Sequence, residues 1–169
     1  GIDIAPDGTK VVRNDTNGAY LWTGVQWTEL VTRTSMPAGD LASPYIANGV
    51  WEIAIAPSNT QRFYMVYNGY VYRSDNRGAA WIKTAYTRDT GADAFASAAR
   101  LSGQKLAVYP ANADVVYVGN TSTGIWRTLD AGATWTNIVA ITAPTEAPGS
   151  AGIEVDPNSG TTTLSGVTV

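Results

Sequence analysis

The side chains in this sequence that could do acid–base or ligand chemistry are almost all carboxylates. No histidine and no cysteine occurs among its 169 residues, which removes disulfides, thiol catalysis, the common zinc sites and every histidine-dependent triad. Of the 14 acidic residues, three sets stand out by their surroundings. Asp15 stands in Arg13-Asn14-Asp15-Thr16-Asn17-Gly18-Ala19-Tyr20-Leu21-Trp22, a carboxylate set between amides and aromatics. That mixture suits a carbohydrate, whose apolar ring faces stack on aromatics while its hydroxyls need fixed polar partners. Asp75 and Asp130 lie in Ser74-Asp75-Asn76-Arg77-Gly78-Ala79-Ala80-Trp81 and Thr128-Leu129-Asp130-Ala131-Gly132-Ala133-Thr134-Trp135. A carboxylate consumed by its own hairpin is poorly placed for catalysis or for calcium. Asp89 and Asp93 belong to a long loop and read as solvated charge. No spaced set of ligands for a metal ion occurs, and no cofactor is implied.

The elements that must position these residues come from a repeat. Ile2-Asp3-Ile4-Ala5-Pro6 recurs as Ile53-Ala54-Ile55-Ala56-Pro57, Leu106-Ala107-Val108-Tyr109-Pro110 and Ile153-Glu154-Val155-Asp156-Pro157, with prolines 51, 53 and 47 residues apart. That spacing fits the roughly 40–50 residues of a propeller blade better than most solenoid repeats. Each unit continues with a second strand (10–13, 62–66, 115–119), a third carrying aromatics (Tyr20-Leu21-Trp22, Tyr70-Val71-Tyr72, Ile125-Trp126) and a fourth opening at Trp27, Trp81 or Trp135. The expected fold class is all-β: a β-propeller segment of about three to four four-stranded antiparallel blades, incomplete as a ring. Blade 1 covers about 1–31, blade 2 about 51–86, blade 3 about 104–140, and a fourth begins in about 152–169. Seventeen glycines and eight prolines supply the turns. Ala92 to Leu101 reads as loop because Gly91 and Gly103 bracket it.

The two hairpins between third and fourth strands resemble Asp-boxes, the BNR-type motif Ser/Thr-x-Asp-x-Gly-x-Thr-Trp. Ser74 or Thr128 and Asn76 or Asp130 are expected to bond backbone N–H groups of the turn. Gly78 or Gly132 takes the left-handed position, and Trp81 or Trp135 packs between sheets. Blade 1 is too short for a box and turns through Thr23-Gly24 instead. Propellers close with roughly 4–8 blades, so three and a fraction leave sheet edges that the rest of the propeller or a partner must cover.

Antiparallel order puts the second-to-third turns and the long fourth-to-first connections (31–49, 86–102, 140–152) on one face. Sites on rigid scaffolds lie in such loops. Asp15 falls there, with Asn14, Tyr20, Tyr45 and Tyr67 as candidate substrate contacts and Tyr86 and Phe95 nearby. The net charge of −3 and absence of a basic cluster argue against nucleic acid or anionic membrane as a partner. No run approaches the ~18 apolar residues of a membrane helix, and Gly1 opens no charged-then-apolar leader.

On the segment from Arg13 to Trp22 the chain resembles glycoside hydrolase family 74, the xyloglucanases and related endo-β-1,4-glucanases. Their first blade carries Arg-Thr-Asp-x-Gly-Gly-Ala-Tyr-Arg. Arg13, Asp15, Gly18, Ala19 and Tyr20 match in register, whereas Asn14, Asn17 and Leu21 depart. The resemblance implies that Asp15 is the general base of an inverting hydrolysis. The general acid would then come from a second propeller later in the chain, since an inverting pair stands roughly 6.5–9.5 Å apart. It also implies a secreted, extracellular or periplasmic glycosidase that binds a β-glucan or other polysaccharide. This chain would be a fragment of it, inactive alone. The alternative is a non-catalytic carbohydrate-binding, adhesin or phage-fibre propeller, which the departures around Asp15 would suit. A sialidase shares the boxes but needs clustered arginines and a nucleophilic tyrosine; a photosystem assembly factor leaves the blade-1 motif unexplained.

Overall fold

A computed structural model describes residues 1–14, 18–41, 49–87, 105–120 and 123–140, together with the backbone of 154–155 and 164–165. All its regular elements are strands. β1 (Ile2–Ile4), β2 (Lys10–Asn14), β3 (Gly18–Trp22) and β4 (Trp27–Glu29) form the first sheet. β5 (Val50–Ile55), β6 (Phe63–Tyr67), β7 (Tyr70–Ser74) and β8 (Ile82–Lys83) form the second. β9 (Leu106–Val108), β10 (Val116–Asn120), β11 (Gly124–Thr128) and β12 (Thr136–Ala140) form the third. β13 (Glu154–Val155) pairs with β14 (Leu164–Ser165) in a two-stranded fourth. Every pairing is antiparallel between strands consecutive in the chain, the meander of a propeller blade. The described sheets do not close into a ring.

The recurring prolines explain why each first strand stops. Pro6, Pro57 and Pro110 sit second in β-turns closed by Gly8 N–H to Ala5 O, Asn59 N–H to Ala56 O and Asn112 N–H to Tyr109 O. A fixed φ and a missing N–H suit that position.

The sheets pack face to face, and alternation sends each strand's side chains to one neighbour or the other. Val11, Ala19, Leu30 and Val31 of the first sheet meet Ile53, Ile55, Phe63, Met65, Tyr72 and Trp81 of the second. Ala54, Tyr64, Val66 and Val71 of the second meet Leu106, Val108, Val116 and Val118 of the third in the same way. Because both faces of the second sheet are covered, β5 and β6 are buried along their whole length. Polar groups cross the junctions too: Asp3 Oδ2 accepts the Ile55 N–H at 2.7 Å, and Tyr64 Oη donates to Ala113 O at 2.7 Å.

The hairpins after β7 and β11 lock these junctions. Ser74 Oγ accepts the Gly78 N–H at 2.8 Å, and Asn76 Oδ1 accepts the Ala80 N–H at 2.9 Å. Thr128 Oγ1 and Asp130 Oδ1 repeat those bonds to Gly132 at 2.9 Å and Thr134 at 2.8 Å. Left-handed φ falls on two residues in each turn, Arg77 (57°) with Gly78 (82°) and Ala131 (57°) with Gly132 (91°). Two successive positive φ values are the signature of a type I′ turn. The glycines are needed for space as well. A Cβ on Gly78 would lie 2.8 Å from Leu30 Cδ2, and one on Gly132 2.5 Å from Thr84 Cγ2. Leu30 and Thr84 are the residues just after the preceding sheet's fourth strand, so each fills the glycine gap of the next hairpin. Trp81 Nε1–H adds a bond to Leu30 O at 2.8 Å.

Candidate functional site

The candidate site is framed by the β2–β3 hairpin. Its register pairs Val12 with Tyr20, Arg13 with Ala19 and Asn14 with Gly18. Asp15, like Tyr45, lies outside the described residues. Asn14 ends β2 exposed to solvent, and Tyr20 is half-buried in β3.

Arg13, the residue before Asn14, is fixed from two sides. Its backbone N–H donates to Gly1 O at 2.9 Å, and its Nε donates to Glu52 Oε1 at 3.3 Å across the junction with the second sheet. Glu52 reaches it because β5 bulges: Val50 pairs with Tyr67 and Glu52 with Val66, leaving Trp51 as the extra residue. Bulges re-aim side chains in this way. Burial pushes the Glu52 carboxyl above its usual pKa, opposed by the Arg13 guanidinium and by the backbone N–H groups of Ile53 and Lys105. Glu52 is thus held between the Arg13 side chain of the first sheet and the Ile53 N–H of its own strand. The alternation of residues 50–55 gives no sign of this, since an extra residue is invisible to a period of two.

Tyr67 lies at the strand end where the sequence reading puts it, but its ring is not open. It ends β6 fully buried, its ring edge-on to Tyr72 with centroids 6.0 Å apart, so it offers no face to a sugar. Tyr86 is buried as well, tilted against Trp126 and Trp135, and its Oη accepts Asn120 Nδ2–H at 3.0 Å. Both lie at sheet ends near the long connections, but packing between sheets has claimed their rings. Half-buried Trp126, whose Nε1–H donates to Thr123 Oγ1 at 2.8 Å, is an aromatic near the same end that the sequence reading treats only as a strand residue.

The hairpin carboxylates divide. Asp130 bonds Thr128 Oγ1, the Thr134 N–H and Thr134 Oγ1, and these bonds, that from the Thr134 hydroxyl foremost, lower its pKa to about 2. Asp75 is not used by its hairpin, where Asn76 takes that part. It pairs with Arg62 at 2.6 Å, and Arg62 also bridges to Asp114 of the third sheet. Both carboxylates are engaged, Asp130 within its own hairpin and Asp75 with Arg62 and Arg73 instead. Among the described residues no three metal-ligating side chains converge.

No protein-family model matches the chain. Its sequence is 29% identical over 148 residues to a xyloglucanase of Hypocrea jecorina, covering 80% of this chain and 17% of that protein. It is 29% identical over 145 residues to xyloglucanase Xgh74A of Acetivibrio thermocellus, covering 78% and 16%. Among solved structures, the GH74 xyloglucanase of Xanthomonas campestris superposes with a TM-score of 0.65 at 26% identity, over 81% of this chain and 20% of that one. The GH74 enzyme of Niastella koreensis gives 0.71 at 24%, over 92% and 23%, a likeness of fold. The chain thus spans about a sixth of the length of the xyloglucanases it matches. In sequence and in propeller fold it is similar to glycoside hydrolase family 74.

Proposed function

We propose that this chain is the part of a secreted, inverting xyloglucanase-like endo-β-1,4-glucanase that carries the general base, Asp15. The similarity to xyloglucanases over four fifths of the chain supports this reading, together with the Arg13–Tyr20 motif at the turn between β2 and β3. In the reaction, Asp15 would take a proton from water as that water forms a bond to the anomeric carbon. A second carboxyl group would protonate the glycosidic oxygen as the C–O bond breaks on the opposite side. The acid would come from the remainder of the polypeptide, so residues 1–169 alone would be inactive. The Arg13–Glu52 pair would hold the end of β2, next in sequence to Asp15. The boxes Ser74–Trp81 and Thr128–Trp135 would serve as structural Asp-box hairpins, and Asn14 and Tyr20 as substrate contacts beside the base.

A second reading, a carbohydrate-recognition propeller without turnover, draws on the departures at Asn14, Asn17 and Leu21 and on Glu52 being tied to Arg13. The two separate in hydrolysis of xyloglucan and mixed β-glucans by the longer polypeptide, with the released anomer followed by NMR. Turnover with inversion that falls roughly 10²–10⁴-fold in Asp15→Asn is expected of a general base. Binding without turnover would select the recognition module.

A further inference from the structure

We propose that Asn14 positions the turn that carries Asp15: its side-chain oxygen accepts the backbone N–H of Asn17, the last residue before Gly18. Residues 15–17 lie outside the described part of the structure, and the third sheet supplies the template. There β10 ends at Asn120, β11 begins at Gly124, and these two residues pair in register across the three between them. In the first sheet β2 ends at Asn14, β3 begins at Gly18, and they too pair across three residues. Both glycines are left-handed, Gly18 at φ 86° and Gly124 at φ 97°. Short hairpin loops of this size are built around a type I turn closed by a left-handed residue, with asparagine favoured at the first position. Equal length, the same two end residues and the same glycine conformation point to one backbone path for both turns. The second sheet turns differently. Tyr67 and Tyr70 pair across only Asn68 (φ 50°) and Gly69 (φ 77°), a type I′ turn with no asparagine at the strand end.

The third-sheet turn shows what its asparagine does. Thr123 N–H donates to Asn120 Oδ1 at 2.9 Å, so the side chain bridges the turn from its first residue to its fourth. Asparagine oxygens are suited to such local bonds, and Asn17 holds the place of Thr123 in the first sheet. Elsewhere this chain makes the same three-residue reach with threonine: Thr23 Oγ1 accepts the Gln26 N–H at 3.1 Å, and Thr32 Oγ1 accepts the Ser35 N–H at 3.1 Å. A hydroxyl at position 14 can therefore stand in for the amide, whereas a methyl group cannot. Asp15 directly follows the residue that ties the turn, and a misplacement of about 1 Å at a reacting group can cost roughly 100-fold in rate. For that catalytic consequence the inference rests on the general-base reading; the bond itself does not. The bond uses the oxygen of Asn14, while a sugar contact would use its Nδ2 hydrogens.

Amide hydrogen exchange followed by NMR in 1–169 reads the bond without turnover. The Asn17 N–H should exchange about 5–10-fold faster in Asn14→Ala than in the parent, and near the parent rate in Asn14→Thr. Thr123 in Asn120→Ala, where the bond is observed, sets the scale. Equal rates in the parent and Asn14→Ala, or a threonine variant as fast as the alanine, would overturn the assignment. In the longer polypeptide, kcat on xyloglucan should fall about 10-fold or more in Asn14→Ala and return in Asn14→Thr, with KM little changed. A raised KM in both variants at unchanged kcat would make Asn14 a substrate contact alone and overturn its positioning role. No turnover by the parent, together with the expected exchange pattern, would count against the glycosidase reading and uphold Asn14 as the residue that holds the turn.

Discussion

Replacing Gly78 by alanine puts a methyl carbon 2.8 Å from Leu30 Cδ2 and 3.1 Å from Leu30 Cδ1, at a residue whose φ is +82°. Two costs combine. Holding a residue with a Cβ in the left-handed region takes about 1–2 kcal/mol, and forcing buried Leu30 off its rotamer adds about 1–3 kcal/mol. Gly24→Ala shares the first cost (φ +95°) and lacks the second, because nothing stands within 4 Å of its Cβ. In urea denaturation of 1–169 followed by tryptophan fluorescence, Gly78→Ala should lose about 2–5 kcal/mol and Gly24→Ala about 1–2 kcal/mol. Leu30→Ala alone opens a cavity worth about 2–5 kcal/mol, and the methyl introduced by Gly78→Ala partly fills it. The double variant should therefore be at least ~1 kcal/mol more stable than the sum of the single losses. Equal losses at Gly78 and Gly24, or strict additivity with Leu30→Ala, would refute the idea that the glycine gap couples neighbouring sheets.

Two further outcomes follow from the same hairpins. Asp130 titrates at about 2 when folded and near 3.9 when unfolded, so its stabilisation is present above about pH 4 and is lost as pH falls toward 2. The urea midpoint of Asp130→Asn should lie below that of the parent at pH 7 and converge with it near pH 2; a constant gap would refute this. Ser74→Ala leaves the buried Gly78 N–H without its 2.8 Å acceptor and should cost about 1–3 kcal/mol. Ser74→Thr, the residue type found at Thr128, should recover most of that by the same urea measurement. A threonine variant as weak as the alanine would show that the hydroxyl is not the cause.

Much of the architecture is legible in the sequence because its signals are local. The Pro-ended strands, the Thr23-Gly24 turn and the hairpins after β7 and β11 each depend on residues a few positions apart. What escapes depends on the neighbouring sheet. Covering a sheet on both faces erases the contrast that marks an exposed aromatic, so Tyr67 and Tyr86 read as open rings and are buried. The Arg13–Glu52 pair needs a bulge, and the Leu30–Gly78 contact needs the relative placement of two sheets. Arg77 and Ala131 take left-handed φ beside the glycines because the type I′ turn demands two such residues, whereas the box pattern draws notice only to the glycine.

The junctions also have a direction, which matters while the chain is being made. Val11, Ala19, Leu30 and Val31 can be covered only by a sheet that leaves the ribosome about 50 residues later, roughly 3–10 s at ordinary rates of synthesis. Each new sheet thus completes its predecessor, and the nascent chain always carries one bare trailing face. The opposite face of the first sheet carries Ile2 and Ile4, both exposed. Lys10 and Asn14 stand there where the second sheet has Phe63 and Tyr67, and polar residues interrupting an apolar surface act as gatekeepers against premature association.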